Sequence, residues 1–223
     1  MPVARGFSLP ASAYPRAHRF VERAAPILDL ILAMNERLPK TRNSLAIVFF
    51  HTFGAERLFE QWRGGVKVDY IRLLRRSIAA ARKVHPEAWV YLLTNRADQF
   101  PADLDAVVIE LPLVPEWVGY ERSRAQMAFA HLWRGPALHI DSDVFLRSRF
   151  DPIFARGFDL ALTWRPPLRH PRWANQPING GMLICNRPPA FAKFMLAVVD
   201  LIPEIAASAN DPDLLTGGAE QRA

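Results

Sequence analysis

Cysteine occurs once in the 223 residues, as Cys185, which excludes a disulfide framework within the chain and any cysteine-based zinc site. Lysine is almost as scarce. Only Lys40, Lys67, Lys83 and Lys193 are present, so arginine supplies 24 of the 28 basic residues (28 − 4). With 22 acidic residues the formal charge is 28 − 22 = +6. An excess of Arg, Ala and Pro over Lys is what GC-rich coding writes whatever the function. No run of five basic residues and no interleaved aromatic and basic stripe occurs, so nucleic acid is not expected as a partner. Nor is there an apolar run of the roughly 18–20 residues that a membrane span requires. The best stretch, 25–34, is short and broken by Pro26 and Asp29. The N-terminus lacks the basic, apolar and small-residue order of a signal peptide. A cytoplasmic chain without a transmembrane segment is the expectation, with peripheral contact to an anionic membrane left open for the Arg-rich arm.

What is present is a core. Half the residues are hydrophobic and 22% are charged, a globular composition that excludes disorder of the whole chain. The length suits one domain, or one domain with an appendage. Residues 1–43 read as a Pro- and Arg-rich arm enclosing one helix over about 17–38, and residues 44–223 as the domain. From 45–50 onward, apolar strands alternate with amphipathic helices. Strands are predicted at 45–50, 88–93, 106–111, 137–140, 159–164 and 182–185. Helices are predicted at 68–84, at 123–133 and from Pro188-Pro189 to a stop at Pro203. Such alternation predicts an α/β domain with a mostly parallel sheet. Thr216 to Ala223 reads as the entry to a further helix that is cut off, so a C-terminally truncated domain is expected.

Ligands of α/β sheets gather at the carboxyl ends of the strands. There, directly after the strand 137–140, stand Asp141-Ser142-Asp143. Two carboxylates so close repel unless a cation lies between them, and a hard divalent ion can supply that charge while holding diphosphate oxygens. The plainer alternative is an Asx turn ending a strand. Asn179-Gly180-Gly181 joins paired glycines, which allow close backbone approach to a ligand, to an amide that both donates and accepts. An ordinary tight turn before a strand is its alternative. His51-Thr52 and Thr94-Asn95 end the first two strands, where they either line a pocket or cap the strands.

Taken in order, these features resemble the nucleotide-diphospho-sugar transferases of the GT-A fold, closest to the glycogenin and bacterial lipopolysaccharide galactosyltransferase type. The residues that carry the resemblance are the strand 45–50, Tyr70-Ile71-Arg72-Leu73-Leu74, Thr94-Asn95 and an Arg-bearing helix. Ile140-Asp141-Ser142-Asp143-Val144, Ile178 to Ile184 and Glu220-Gln221 complete the order. The resemblance spans about residue 45 to the end. It implies a Rossmann-like GT-A domain, a mostly parallel mixed sheet flanked by helices. It also implies a metal-dependent glycosyltransferase that moves a sugar from a nucleotide-diphosphate donor, a UDP-sugar, to a glycan, lipid-linked or small-molecule acceptor. By the same resemblance Asp141 and Asp143 hold Mn2+ or Mg2+, and Arg122 or Arg124 reaches the donor's sugar or phosphates. His51, Thr52, Thr94, Asn95, Asp141, Ser142, Asn179, Gly180 and Gly181 contact the donor, while Glu220 and Gln221 face the reacting carbon. Relatives of the galactosyltransferase type add a His beyond the last motif, where this chain has none, and Glu220 stands where Asp is commoner. Trp117, Trp164 and Trp173 are aromatic candidates for stacking on an acceptor sugar, with buried packing as the alternative for each.

Two other readings use the same residues. Asp-x-Asp after an apolar strand also serves haloacid-dehalogenase-like phosphatases, but Phe145 stands where those have Thr or Val, and Lys193 falls inside a predicted helix. A truncated, non-catalytic transferase domain that binds a nucleotide or a partner is the other alternative.

Overall fold

The computed structural model describes residues 25–55, 67–164 and 178–208. In chain order the elements are α1 (Ile27–Asn35), β1 (Ala46–His51), α2 (Tyr70–Val84), β2 (Trp89–Thr94), β3 (Val107–Glu110), α3 (Val118–Leu132), β4 (Ala137–Ile140), α4 (Asp151–Phe154), β5 (Leu160–Trp164), β6 (Ile178–Cys185) and α5 (Pro188–Ser208). The strands form one six-stranded sheet in the order β3-β2-β1-β4-β6-β5. β1, β2, β3 and β4 are mutually parallel, and β6 runs antiparallel between β4 and β5. The protein is thus an α/β domain with a mixed sheet flanked by helices.

The unbroken apolar runs in the sequence have the cause expected of them, which is helical cover on both faces. Every residue of β1 is buried. Ala46, Val48 and Phe50 enter one core with Leu30 and Met34 of α1, Phe129 of α3 and Phe191 of α5. Ile47 and Phe49, on the opposite face, meet Leu74, Ile78 and Ala81 of α2. The strand's period of two divides the side chains between the two cores, and burial of each such Phe stabilises the fold by about 2–3 kcal/mol. In α2 the buried positions Tyr70, Leu74, Ser77, Ile78 and Ala81 recur at helical spacing. The helix starts where the Asp69 carboxylate accepts the Arg72 N–H at 2.9 Å.

Four boundaries differ from the sequence expectation by four residues or more. Over the described residues, α1 starts at Ile27, directly after Pro26, because proline's fixed φ suits a helix entry but not its interior. α3 begins at Val118, five residues before Ser123. It is buried on nearly all sides among the sheet, α1 and α5, so it carries no polar stripe by which its first turn could be recognised. α5 continues through Pro203 to Ser208, since the apolar face that buries Ile202 extends to Ile205. β6 starts at Ile178 rather than Met182, which puts Asn179-Gly180-Gly181 inside a strand and not in a turn before one.

Candidate functional site

The chain passes from β1 to β2 and β3 on one side of the sheet, then returns to place β4 on the other side of β1. Adjacent parallel strands whose connections depart in opposite directions leave a crevice beyond their carboxyl ends. β1 ends there in His51 and Thr52, and β4 in Asp141, Ser142 and Asp143.

Asp141 is held from two elements. Its backbone N–H donates to the Gly181 carbonyl at 2.9 Å, and its own carbonyl accepts from Val144 N–H at 3.1 Å. Its Oδ1 receives Arg122 Nη1 of α3 in an ion pair whose side chains are 15% (Arg122) and 35% (Asp141) exposed. Gly181 lies opposite Asp141 because the antiparallel register of β4 and β6, in which Ile140 pairs with Met182, brings it there. Leu162 pairs with Leu183, but the next residue, Thr163, pairs with Asn179. On that edge Gly180, Gly181 and Met182 have no paired residue in β5, although Met182 stays paired with Ile140 of β4, and Thr163 Oγ1 donates to the Met182 carbonyl at 2.8 Å. Asn179 Oδ1 accepts the Gly181 N–H at 3.0 Å. A Cβ on Gly181 would lie 3.1 Å from Asn179 Oδ1 and 3.3 Å from Asp141 Oδ2, so the missing side chain leaves a cradle beside the carboxylate. Ser142 contributes its backbone here, its carbonyl accepting from Ser77 Oγ at 2.8 Å. Asp143 is exposed. These are hard oxygen donors around a glycine-made space, the donor chemistry that Mg2+ or Mn2+ takes.

The remaining candidates divide. Thr52 is buried, and its hydroxyl has no hydrogen-bond partner among the described residues, a cost that a polar ligand at the end of β1 would remove. His51 is buried in ring contact with Phe53, centroids 4.7 Å apart, and with Tyr70 and Phe100. Asn95 clamps the loop after β1, accepting from Phe53 N–H at 2.8 Å and donating to the Phe53 carbonyl at 3.0 Å. Thr94 Oγ1 accepts from Arg96 N–H at 3.3 Å. Arg124, two residues from Arg122, is engaged elsewhere. It is buried, pairs with Glu121 at 2.8 Å, donates to the Ala25 carbonyl and lies over the Tyr120 ring. Burial raises the Glu121 carboxyl above the ordinary range, against the opposing pull of Arg124. Trp117 is buried and Trp164 is 63% exposed. Glu220, Gln221 and Trp173 lie outside the described residues.

The sequence reading missed a second ionic cluster, at the amino end of β2. His85 Nδ1, Glu87 and Asp151 present ligand atoms within 4.8 Å of one another, close enough to share a cation. Nothing in the sequence linked Asp151 to His85, because the loop between β4 and α4 brings them together. His85 Nε2 accepts the Phe150 N–H at 3.1 Å, so the ring's proton sits on Nδ1, 3.7 Å from Glu87 and 3.8 Å from Asp151. Arg149 bonds both carboxylates, and its hydrogen bond holds Asp151 below the ordinary carboxylate range. The cluster therefore already contains its cation. A metal on Nδ1 would have to displace Arg149 and break the Phe150 bond.

No protein-family model and no curated protein matches the chain. Among solved structures, it is similar to galactosyltransferase LgtC in complex with donor and acceptor sugar analogues. That match has a TM-score of 0.47 and 13% identity over 77% of this chain and 69% of that one. It is also similar to the glycosyltransferase GlyE of Streptococcus pneumoniae. The apo form matches with a TM-score of 0.45 and 15% identity over 79% of this chain, and a second GlyE structure with 0.44 and 15% over 76%. The chain spans 42% of the length of each GlyE structure. At such identities and overlaps these likenesses assign no activity.

Proposed function

We propose that the crevice beyond β1 and β4 is the donor site of a glycosyltransferase, which moves a sugar from a nucleotide diphosphate, a UDP-sugar, to a hydroxyl acceptor. The observation that carries this reading is the convergence of three elements on Asp141. The strand β4 delivers the carboxylate, α3 delivers Arg122 and the neighbouring strand β6 delivers the Gly181 carbonyl. Asp141 and Asp143 would hold Mn2+ or Mg2+, which would supply positive charge against a departing diphosphate. Arg122 adds a planar fork suited to phosphate or sugar oxygens, and Thr52 offers a buried hydroxyl to the nucleoside. Gly180 and Gly181 let the backbone approach the donor closely, and Asn179 orients that segment through its bond to Gly181 N–H. Glu220 and Gln221 are assigned to the side of the reacting carbon, where a carboxylate and an amide would orient the acceptor hydroxyl.

Calorimetric titration tests the reading. UDP is titrated in with Mn2+, without it, and with Mn2+ into Asp143→Ala. Binding that requires Mn2+ and is lost in the variant supports the site. Absence of binding from a folded sample sinks the UDP assignment.

A further inference from the structure

Two buried helical serines direct their hydroxyls differently. Ser123 of α3 donates to the Gly119 carbonyl of its own helix at 3.1 Å, the usual outlet for a serine inside a helix. Ser77 of α2 is fully shielded, on the helix face that carries Leu74, Ile78 and Ala81 into the core. Its hydroxyl leaves the helix and donates to the Ser142 carbonyl at 2.8 Å. That carbonyl lies between the two candidate metal carboxylates. Val144 N–H donates to the Asp141 carbonyl at 3.1 Å, closing a turn with Ser142 and Asp143 as its central residues. The Ser142 carbonyl belongs to the central peptide of that turn. Rotation of the central peptide separates type I from type II turns, and it takes φ of the third residue from about −90° to about +80°. The third residue here is Asp143, and aspartate tolerates both conformations. The rotation therefore re-aims the Asp143 carboxylate relative to Asp141. Because the peptide is planar, a grip on the Ser142 oxygen also fixes the Asp143 nitrogen.

We propose that Ser77 is a positioning residue for the metal site. Its hydroxyl holds the turn from Asp141 to Val144 in the form that aims Asp143 at the same ion as Asp141. This rests on the donor-site reading above and gives α2 a part in it. Val144 and Leu146 pack with Leu74 and Ile78 in one core, so helix and turn are already apposed when the hydroxyl bond forms. Without the hydroxyl the turn samples both forms, and the apparent affinity for the metal falls by the fraction that remains competent. Metal that has bound has already selected the competent form, so a nucleotide that follows it meets the same site.

The test is calorimetric titration of Mn2+ alone, and of UDP at saturating Mn2+, into the full chain and into Ser77→Ala, Ser77→Cys and Ile78→Val. The cysteine variant keeps the shape of the side chain with a much weaker donor, and it covers the case in which the alanine variant fails to fold. Ile78→Val loosens the same core face without removing a hydrogen bond to the turn. Thermal unfolding without metal should fall by about 2–4 °C in Ser77→Ala and in Ile78→Val alike. Expected is Mn2+ binding about 5- to 10-fold weaker in the two Ser77 variants and unchanged in Ile78→Val. UDP at saturating Mn2+ should bind every form within about twofold of the parent. Mn2+ binding by the Ser77 variants within about twofold of the parent, or an equal loss in Ile78→Val, overturns the positioning role. So does an equal loss for Mn2+ and for UDP at saturating Mn2+, which a merely structural serine would give. The donor site stands in each of these cases if UDP still needs the metal. Failure of Mn2+ to bind any form, the parent included, overturns the positioning role together with the metal assignment.

Discussion

The backbone N–H of Asp141 donates to the carbonyl of Gly181 at 2.9 Å, so the carboxylate after β4 takes its position from the next rung of the antiparallel ladder with β6. Glycine suits position 181, because a Cβ there would sit 3.1 Å from Asn179 Oδ1 and 3.3 Å from Asp141 Oδ2. These contacts are tight but end on side-chain atoms that can shift by tenths of an ångström. Gly181→Ala should therefore fold with a loss of about 1 kcal/mol while weakening metal-dependent UDP binding about 10-fold or more. Gly181→Val should abolish that binding. Chemical denaturation and calorimetry on the same samples separate the two effects, and equal binding by Gly181→Ala and the parent would remove Gly181 from the site.

This relationship also marks the limit of what the sequence displays. The strands 45–50 and 88–93 were legible because a period of two in a fully covered sheet leaves unbroken apolar runs, and α2 because its buried positions repeat at helical spacing. α3 was legible only in part, since a helix enclosed on most sides has no polar stripe to mark its first turn. The residues Asp141, Arg122 and Gly181 could be picked out as chemistry-bearing, but not as mutual contacts. Their meeting depends on β6 pairing antiparallel with β4 in the register that sets Asp141 opposite Gly181, and on α3 packing where Arg122 reaches that strand end. Arg122 and Arg124 read alike in sequence. The roughly 200° turn between helix positions two apart sends one to Asp141 and the other to Glu121.

A different glycine is fixed by backbone rather than by side chains. Gly135, in the turn from α3 to β4, has the Asn43 carbonyl oxygen 2.4 Å and the Ser44 carbonyl oxygen 2.6 Å from where a Cβ would lie. The same turn receives the segment before β1 through Gly135 N–H to the Arg42 carbonyl, 2.8 Å, and Trp133 Nε1 to the Ser44 carbonyl, 3.1 Å. Main chain on both sides cannot yield as a side-chain tip does. Gly135→Ala is expected to cost about 3 kcal/mol, read as a lowered denaturation midpoint with an unchanged slope. Unaltered stability would show that the two segments can part without penalty.

Glu121 and Arg124 form a buried ion pair that ties α3 to the start of α1 through the Ala25 carbonyl. Removing one partner leaves the other charge, or its neutralised form, without compensation, so Glu121→Leu and Arg124→Leu should each destabilise by about 3 kcal/mol. The double variant should recover part of that loss, since two apolar side chains leave no buried charge. A double-mutant cycle measures the coupling. Additive losses would mean the pair contributes nothing as a pair. Metal-dependent UDP binding by folded Arg124→Leu should match the parent, in contrast to Arg122→Ala.

His139 makes stability depend on pH. Its ring lies against Phe191, centroids 5.0 Å apart, and edge-on to Phe129 at 5.8 Å, and neither ring nitrogen has a hydrogen-bond partner among the described residues. Burial lowers its pKa from 6.5 to about 3. Between those values the unfolded chain binds a proton that the folded chain refuses, so folding stability rises with pH across this window. The contribution is complete above about pH 6.5 and diminishes as pH falls toward 3; at pH 5 the loss is about 2 kcal/mol relative to neutral pH. Replacing the ring with an apolar side chain removes both the proton and the two unsatisfied nitrogens. His139→Leu should therefore flatten the stability profile between pH 5 and pH 7, and at pH 5 it should unfold at higher denaturant than the parent. A parent protein as stable at pH 5 as at pH 7, with an identical profile in the variant, would mean that the ring reaches solvent or gains a hydrogen-bond partner in solution.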